Sequence, residues 1–151
     1  MTKTEIAKLR NFSKDETDIF GRKIFEKAYD IEPELMTRVD KMVDFAKQEY
    51  GSKKGAFIVH DINLGDHITG SLHYKGKAID GHFRGINLFQ SFLLLAKFNF
   101  HGIGLYPQWQ RRGFHADIRN SERLATWVHW DGDYNYKWNF FEEQLGLEIE
   151  W

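Results

Sequence analysis

No cysteine occurs in the 151 residues of this chain. Disulfides, iron–sulfur clusters and thiolate zinc sites are thereby excluded, and any transition metal must rest on imidazole and carboxylate. The same absence does not report a compartment, because a cysteine-free enzyme works in either redox environment. An excess of one charge is also missing. With 21 Lys and Arg against 22 Asp and Glu, the chain lacks the basic footprint of a nucleic-acid binder, and no nucleic-acid partner is expected. The longest apolar run, Phe92 to Ala96, is far too short to span a bilayer, so no membrane insertion is expected. Met1 to Phe12 is polar and charged, without the apolar stretch of a secretory signal. The expected location is therefore cytoplasmic as synthesised.

What is present suits one packed domain over residues 1–151. Aromatic residues reach 16%, and without a basic groove most of them are read as core. Residues 1–31 are charged and weakly periodic, an N-terminal extension with short helices. Pro33 to Tyr50 carries Leu35, Val39, Met42, Val43, Ala46 and Tyr50 at helical spacing, with Pro33 in the first turn and Gly51 past the end. Gly55 to Asn63 reads as a buried strand, Leu64 to Gly70 as a loop, and Ile86 to Phe100 as a buried helix. Strands follow at Gly102 to Tyr106 and Gly113 to Arg119. A strand or turn near Ala125 to Trp130 and a helix near Lys137 to Leu145 complete the chain. The expected class is α+β, a small antiparallel sheet with helices packed on one side.

Seven histidines are present: His60, His67, His73, His82, His101, His115 and His129. Two have chemically suggestive company. In Ser71-Leu72-His73-Tyr74-Lys75-Gly76-Lys77-Ala78-Ile79-Asp80, the small residues Gly76 and Ala78 permit a tight bend that brings His73 and Asp80 to one point. In Gly113-Phe114-His115-Ala116-Asp117-Ile118-Arg119, strand alternation puts His115, Asp117 and Arg119 on one face. Two imidazoles, a carboxylate and a water form the ligand set of a catalytic zinc site. From spacing alone, a loop histidine and a turn carboxylate are an equally good reading.

The segment Ser71–Asp80 matches S-x-H-x-x-G-x-A-x-D and so resembles the zinc D-Ala-D-Ala carboxypeptidases and peptidoglycan endopeptidases, a family with the hedgehog-like fold. At residue usages of roughly 5%, five fixed positions coincide by chance about once per million starting points. Gly102-Ile103-Gly104-Leu105-Tyr106-Pro107 followed by Gly113–Asp117 is similar to the family's second segment, and the resemblance covers roughly residues 30–130. It implies that His73, Asp80 and His115 bind Zn²⁺, that Ser71 hydrogen-bonds near the site, and that the substrate is a peptidoglycan stem peptide. Small size without a wall-binding module resembles a phage-derived endolysin, released by lysis. The resemblance leaves the oligomeric state open.

The pattern departs from the family in two places. A carboxylate three residues before the last ligand is common there, and here that position is Arg112; the alternative, a His two residues before it, is Gly113. Asp117 is the remaining candidate base, with the orientation of a ligand imidazole as its alternative role. The family's strand-end Arg, which holds a substrate carboxylate, is also absent from Val59-His60-Asp61-Ile62-Asn63. Arg84 and Arg119 are the candidate substitutes, and a surface cation or a partner for Asp117 is the plainer reading of both. His82, two residues past Asp80, is a candidate neighbour of the metal. The aromatic stretch Trp127–Trp138 reads as a C-terminal layer with Asp131-Gly132 as a hairpin turn, one or two rings reaching the cleft edge. The leading expectation is a peptidoglycan peptidase. The alternative is a catalytically inactive, zinc-stabilised binding or structural module.

Overall fold

A computed structural model describes residues 1–110, 112–130 and 133–135. The helix expected near Lys137–Leu145 and the turn expected at Asp131-Gly132 lie outside the described residues.

The long helix, α2, spans Pro33–Tyr50 and is followed by Gly51 at φ 89°. Its apolar stripe of Leu35, Met36, Val39, Met42, Val43 and Ala46 is buried throughout. A second core helix, α3, covers Leu88–Lys97. It starts at a reciprocal cap: the Asn87 side chain accepts from the Gln90 N–H, and the Gln90 side chain accepts from the Asn87 N–H. This satisfies two N–H groups that the helix leaves unpaired.

Among the described residues, six strands build one sheet: β1 Phe57–Asp61, β2 Ala78–Phe83, β3 Gly102–Tyr106, β4 Gly113–Asp117, β5 Ala125–Trp130 and β6 Asp133–Asn135. Their order is β1-β2-β4-β3-β5-β6. The sheet is mixed rather than wholly antiparallel, because β5 runs parallel to β3. The reason is connectivity. β4 is flanked by β2 and β3, so the chain leaving β4 has no open edge there. Residues 118–124 cross the start of β3, where Gly102 pairs with both Asp117 and Ala125. The next strand therefore runs alongside β3 in the same direction.

Strand alternation divides the sheet into two faces. Val59, Ile79, Phe83, Phe114, Ala116, Ile103, Leu105 and Val128 point into the core with the buried residues of α2 and α3. Phe57 stacks on Phe114 and tilts against Phe83 there. The helices cover this face, and polar side chains project from the other.

The N-terminal extension is mostly irregular, with helix only at α1, Lys3–Ile6, and a 3₁₀ turn at Ala28–Asp30. It is tied down by buried polar contacts instead. Asp40 on α2 accepts from the Arg10 and Asn11 backbone N–H groups and from Asn11 Nδ2. Thr17 bridges Lys23 in antiparallel fashion, and the Ile19 N–H donates to the Val59 carbonyl at 3.0 Å. The extension therefore ends up beside the end of β1.

Candidate metal centre

One cross-strand row defines the site. Asp61 on β1 stands opposite Asp80 on β2, Asp80 opposite His115 on β4, His115 opposite Gly104 on β3, and Gly104 opposite Trp127 on β5. Residues directly opposite in neighbouring strands point to the same side, so the row lies on the polar face. Gly104 leaves the room the indole needs: a Cβ there would fall 2.3 Å from Trp127 Nε1. The Trp127 ring consequently lies with its centroid 5.1 Å from that of His115, and its N–H donates to the Tyr106 hydroxyl at 3.1 Å.

His73 arrives from the loop before β2. The Gly76 N–H donates to the His73 carbonyl and the Lys77 N–H to the Leu72 carbonyl, at 2.9 Å each, the bonding pattern that closes a turn on a left-handed residue. Gly76 takes that position at φ 62°, and a Cβ would fall 1.8 Å from the Asp30 carbonyl oxygen. The Ser71 hydroxyl accepts the His73 N–H at 3.2 Å. Ser71 thus supports the loop that carries His73.

His73, Asp80 and His115 come together. His73 Nε2 lies 3.0 Å from His115 Nδ1 and 3.3 Å from Asp80 Oδ1, and His115 Nδ1 lies 2.9 Å from the same oxygen. The other ring nitrogens determine the tautomers. His73 Nδ1 is 2.7 Å from the Ile62 carbonyl, which only accepts, so this nitrogen carries a proton. His115 Nε2 faces Asp117 Oδ2 at 3.0 Å and donates to it. In the neutral imidazoles, both remaining lone pairs point at one place beside a carboxylate, an arrangement able to hold a cation.

A proton on His115 can take the same place. Burial opposes charge on His115, but hydrogen bonds to Asp117 and Asp80 outweigh it and raise its pKa to about 9. Burial likewise opposes ionisation of Asp80, and the hydrogen bonds from His115 and His73 overcome it, holding its carboxyl below the ordinary range. Asp117 is fully buried. Against that burial, its pKa is lowered by hydrogen bonds from Arg119 and His115.

A second set of ligand-type atoms, on Asp61, His67 and His73, clusters next to the first. It is the poorer nest. His73 Nδ1 is committed to Ile62, while Asp61 Oδ1 accepts from Arg22 Nη2 at 3.0 Å and from the Gly65 N–H at 2.9 Å. The first set holds its nitrogens ready; the second has already used them.

The remaining expected residues fall in different places. Asp117 sits behind His115, gripped by Arg119 through Nε at 2.8 Å and Nη2 at 2.6 Å. Arg119 is thus the partner of Asp117. Arg84 is exposed beyond the end of β2, where its backbone N–H bonds to the Ala56 carbonyl. Arg112 is exposed as well. His82 pairs with His60, its Nδ1 2.7 Å from His60 Nε2.

Several neighbours of the site carry no local signal in the sequence. A cleft of about 470 Å³ includes Asp80 in its lining, together with Ile19, Phe20, His60, Asp61, Trp109 and Gln110. A larger cavity of about 970 Å³ lies between α1 and residues 25–29, away from these groups. Arg22 reaches Asp61 from 39 residues upstream, and only the folded chain shows the pairing. His60 lies at the irregularity between Val59 and Asp61 in β1. A Cβ at Gly113 would meet its Cε1 at 2.9 Å, so the imidazole fills the space a side chain at position 113 would need. Comparison with protein-family models, curated proteins and solved structures returns no match. The class defined by fold and site is accordingly a small α+β domain bearing a His/Asp cluster able to coordinate a metal ion.

Proposed function

We propose that the chain is a zinc-dependent peptidase acting on peptidoglycan stem peptides, the substrate class to which the resemblance of Ser71–Asp80 points. The observation that carries the reading is the convergence of His73 Nε2, His115 Nδ1 and Asp80 Oδ1, with both opposite ring nitrogens already bonded to acceptors. Two nitrogens and one carboxylate oxygen suit Zn²⁺ and leave a ligand position open. When bound there, zinc lowers the pKa of water to about 7 and polarises the scissile carbonyl.

The chain's own residues divide the remaining work. His73, Asp80 and His115 hold the ion. Asp117 and Arg119 keep His115 in the tautomer that presents Nδ1. With both carboxylate oxygens held by Arg119 and His115, Asp117 is read as a positioning residue, and the base is assigned to His60, which lines the same cleft as Asp80 and is oriented through Nε2 by His82. A positioned base contributes typically about 10²–10⁴-fold. Replacing His60 by Gln should therefore lower kcat by about that factor while zinc content stays the same.

A second reading, a zinc-stabilised binding module without turnover, is favoured by Asp117 being spent and Arg112 being exposed. Elemental analysis of the purified protein beside His115→Ala, followed by digestion of purified peptidoglycan, separates the cases. One zinc per chain, lost in the variant, together with peptide-bond cleavage supports the peptidase. Zinc without cleavage supports the module. No zinc in either protein after loading overturns both.

A further inference from the structure

The N-terminal extension places a charged chain against the ligand His73. Asp18, itself buried, accepts from Arg22 Nε at 2.6 Å. Arg22 Nη2 reaches Asp61 Oδ1 at 3.0 Å, and Asp61 Oδ2 meets His67 Nε2 at 2.6 Å. The His67 ring then lies flat on His73, centroids 4.0 Å apart with an interplanar angle of 1°. Asp61 also accepts the Leu64 and Gly65 N–H groups, at 3.2 and 2.9 Å. That pins the turn whose Ile62 carbonyl receives the His73 Nδ1 proton. Two constraints on one imidazole, its plane and its acceptor, thus depend on the same carboxylate. A buried carboxylate with this many donors is held in place by the cation beside it.

We infer that residues 18–22 are a working part of the metal centre: Arg22, acting through Asp61 and His67, is a positioning residue that fixes the plane and tautomer of His73. The inference rests on the reading of His73, Asp80 and His115 as metal ligands. Partners at this remove typically alter metal affinity about 10–100-fold when replaced. The loop alone does not suffice, because without Arg22 the Asp61 carboxylate can turn away from His67 and release the stacked ring.

The test titrates the full-length protein with Zn²⁺ against a chromophoric chelator, for wild type, Arg22→Gln, Asp61→Asn, His67→Ala and His115→Ala. Imidazole ¹⁵N spectra of the metal-free proteins report the His73 tautomer directly, a readout that general loosening of the fold does not shift selectively. Expected are a 10–100-fold weaker zinc affinity in Arg22→Gln, Asp61→Asn and His67→Ala, and mixed His73 tautomers in the first two. Arg22→Lys, which keeps a cation but not the fork, should recover part of the affinity. If Arg22→Gln removes the buried partner of Asp18 and fails to fold, His67→Ala and Asp61→Asn carry the test. Wild-type zinc affinity and an unchanged His73 signal in the variants that fold would overturn the inference. Zinc binding that survives His115→Ala would instead sink the ligand assignment beneath it.

Discussion

His73 and His115 each give one ring nitrogen to a fixed acceptor and turn the other toward each other, an arrangement that a proton on His115 satisfies. The pH dependence follows from the direction of the shift. A histidine whose pKa rises from 6.5 to about 9 on folding contributes stability fully present below about pH 6.5 and lost as pH climbs through 9. Thermal unfolding in chelator should therefore show a falling midpoint between pH 6.5 and 9, worth about 3 kcal/mol. Asp80 and Asp117, lowered by their partners, act at the other end. Their contribution is present above the ordinary carboxylate range and is lost only in strong acid. Zinc at the proposed site must displace a proton from His115, so binding at pH 7–8 should release about one proton per ion. Calorimetry in buffers of different ionisation enthalpy measures it, and a release of zero would contradict the shared site.

At the scale of elements, the site depends on where the strands have no side chain. Gly102 and Gly104 of β3 lie beneath Asp117 and Trp127. A Cβ at Gly102 would fall 2.1 Å from Asp117 Oδ2, an oxygen held by Arg119 and His115 and unable to step aside. Gly102→Ala should cost about 1–3 kcal/mol in denaturant unfolding and disturb zinc affinity as well. Gly76→Ala attacks a different element, because a Cβ would press on backbone of the 3₁₀ turn in addition to the left-handed strain. Loss of at least 1 kcal/mol is expected there, with the His73 loop displaced. The docking of the extension has its own test. Asp40→Ala leaves the Arg10 and Asn11 N–H groups without their acceptor. Limited proteolysis should then cut within residues 1–12 faster than in the wild type.

For the whole molecule, the proposed metal site makes metal binding and folding one linked equilibrium, since its residues come from two separate segments, 73–80 and 113–117. Zinc at a hundred times its Kd should stabilise the fold by about 2.7 kcal/mol. For a domain of this size that raises the unfolding midpoint by roughly 5–10 °C. The rise should vanish in His115→Ala, and differential scanning calorimetry with and without zinc reads both. The two-layer build makes the linkage possible. Helices α2 and α3 bury one face of the sheet, leaving the other to carry the row from Asp61 to Trp127 without competing for the core.

Local pattern indicated most of the elements, and the resemblance of Ser71–Asp80 named His73, Asp80 and His115, which the fold brings together. The helical period of Pro33–Tyr50 and the alternation of Gly113–Arg119 specify a face at short range. The turn from His73 to Asp80 needs Gly76 and Ala78 at positions visible in ten residues. These features are short-range because backbone sterics and side-chain periodicity act over a few residues. Tertiary structure decided the rest. Periodicity tells a strand which side faces the core but not which strand will be its neighbour, so the parallel pairing of β5 with β3 stayed hidden. The engagement of both Asp117 oxygens rests on donors that the sequence does not count, and His60 owes its place to an irregularity in β1 and to the empty space at Gly113. Arg22 meets Asp61 across 39 residues. Such a contact is selected by packing and charge pairing in the assembled chain, and no spacing rule records it.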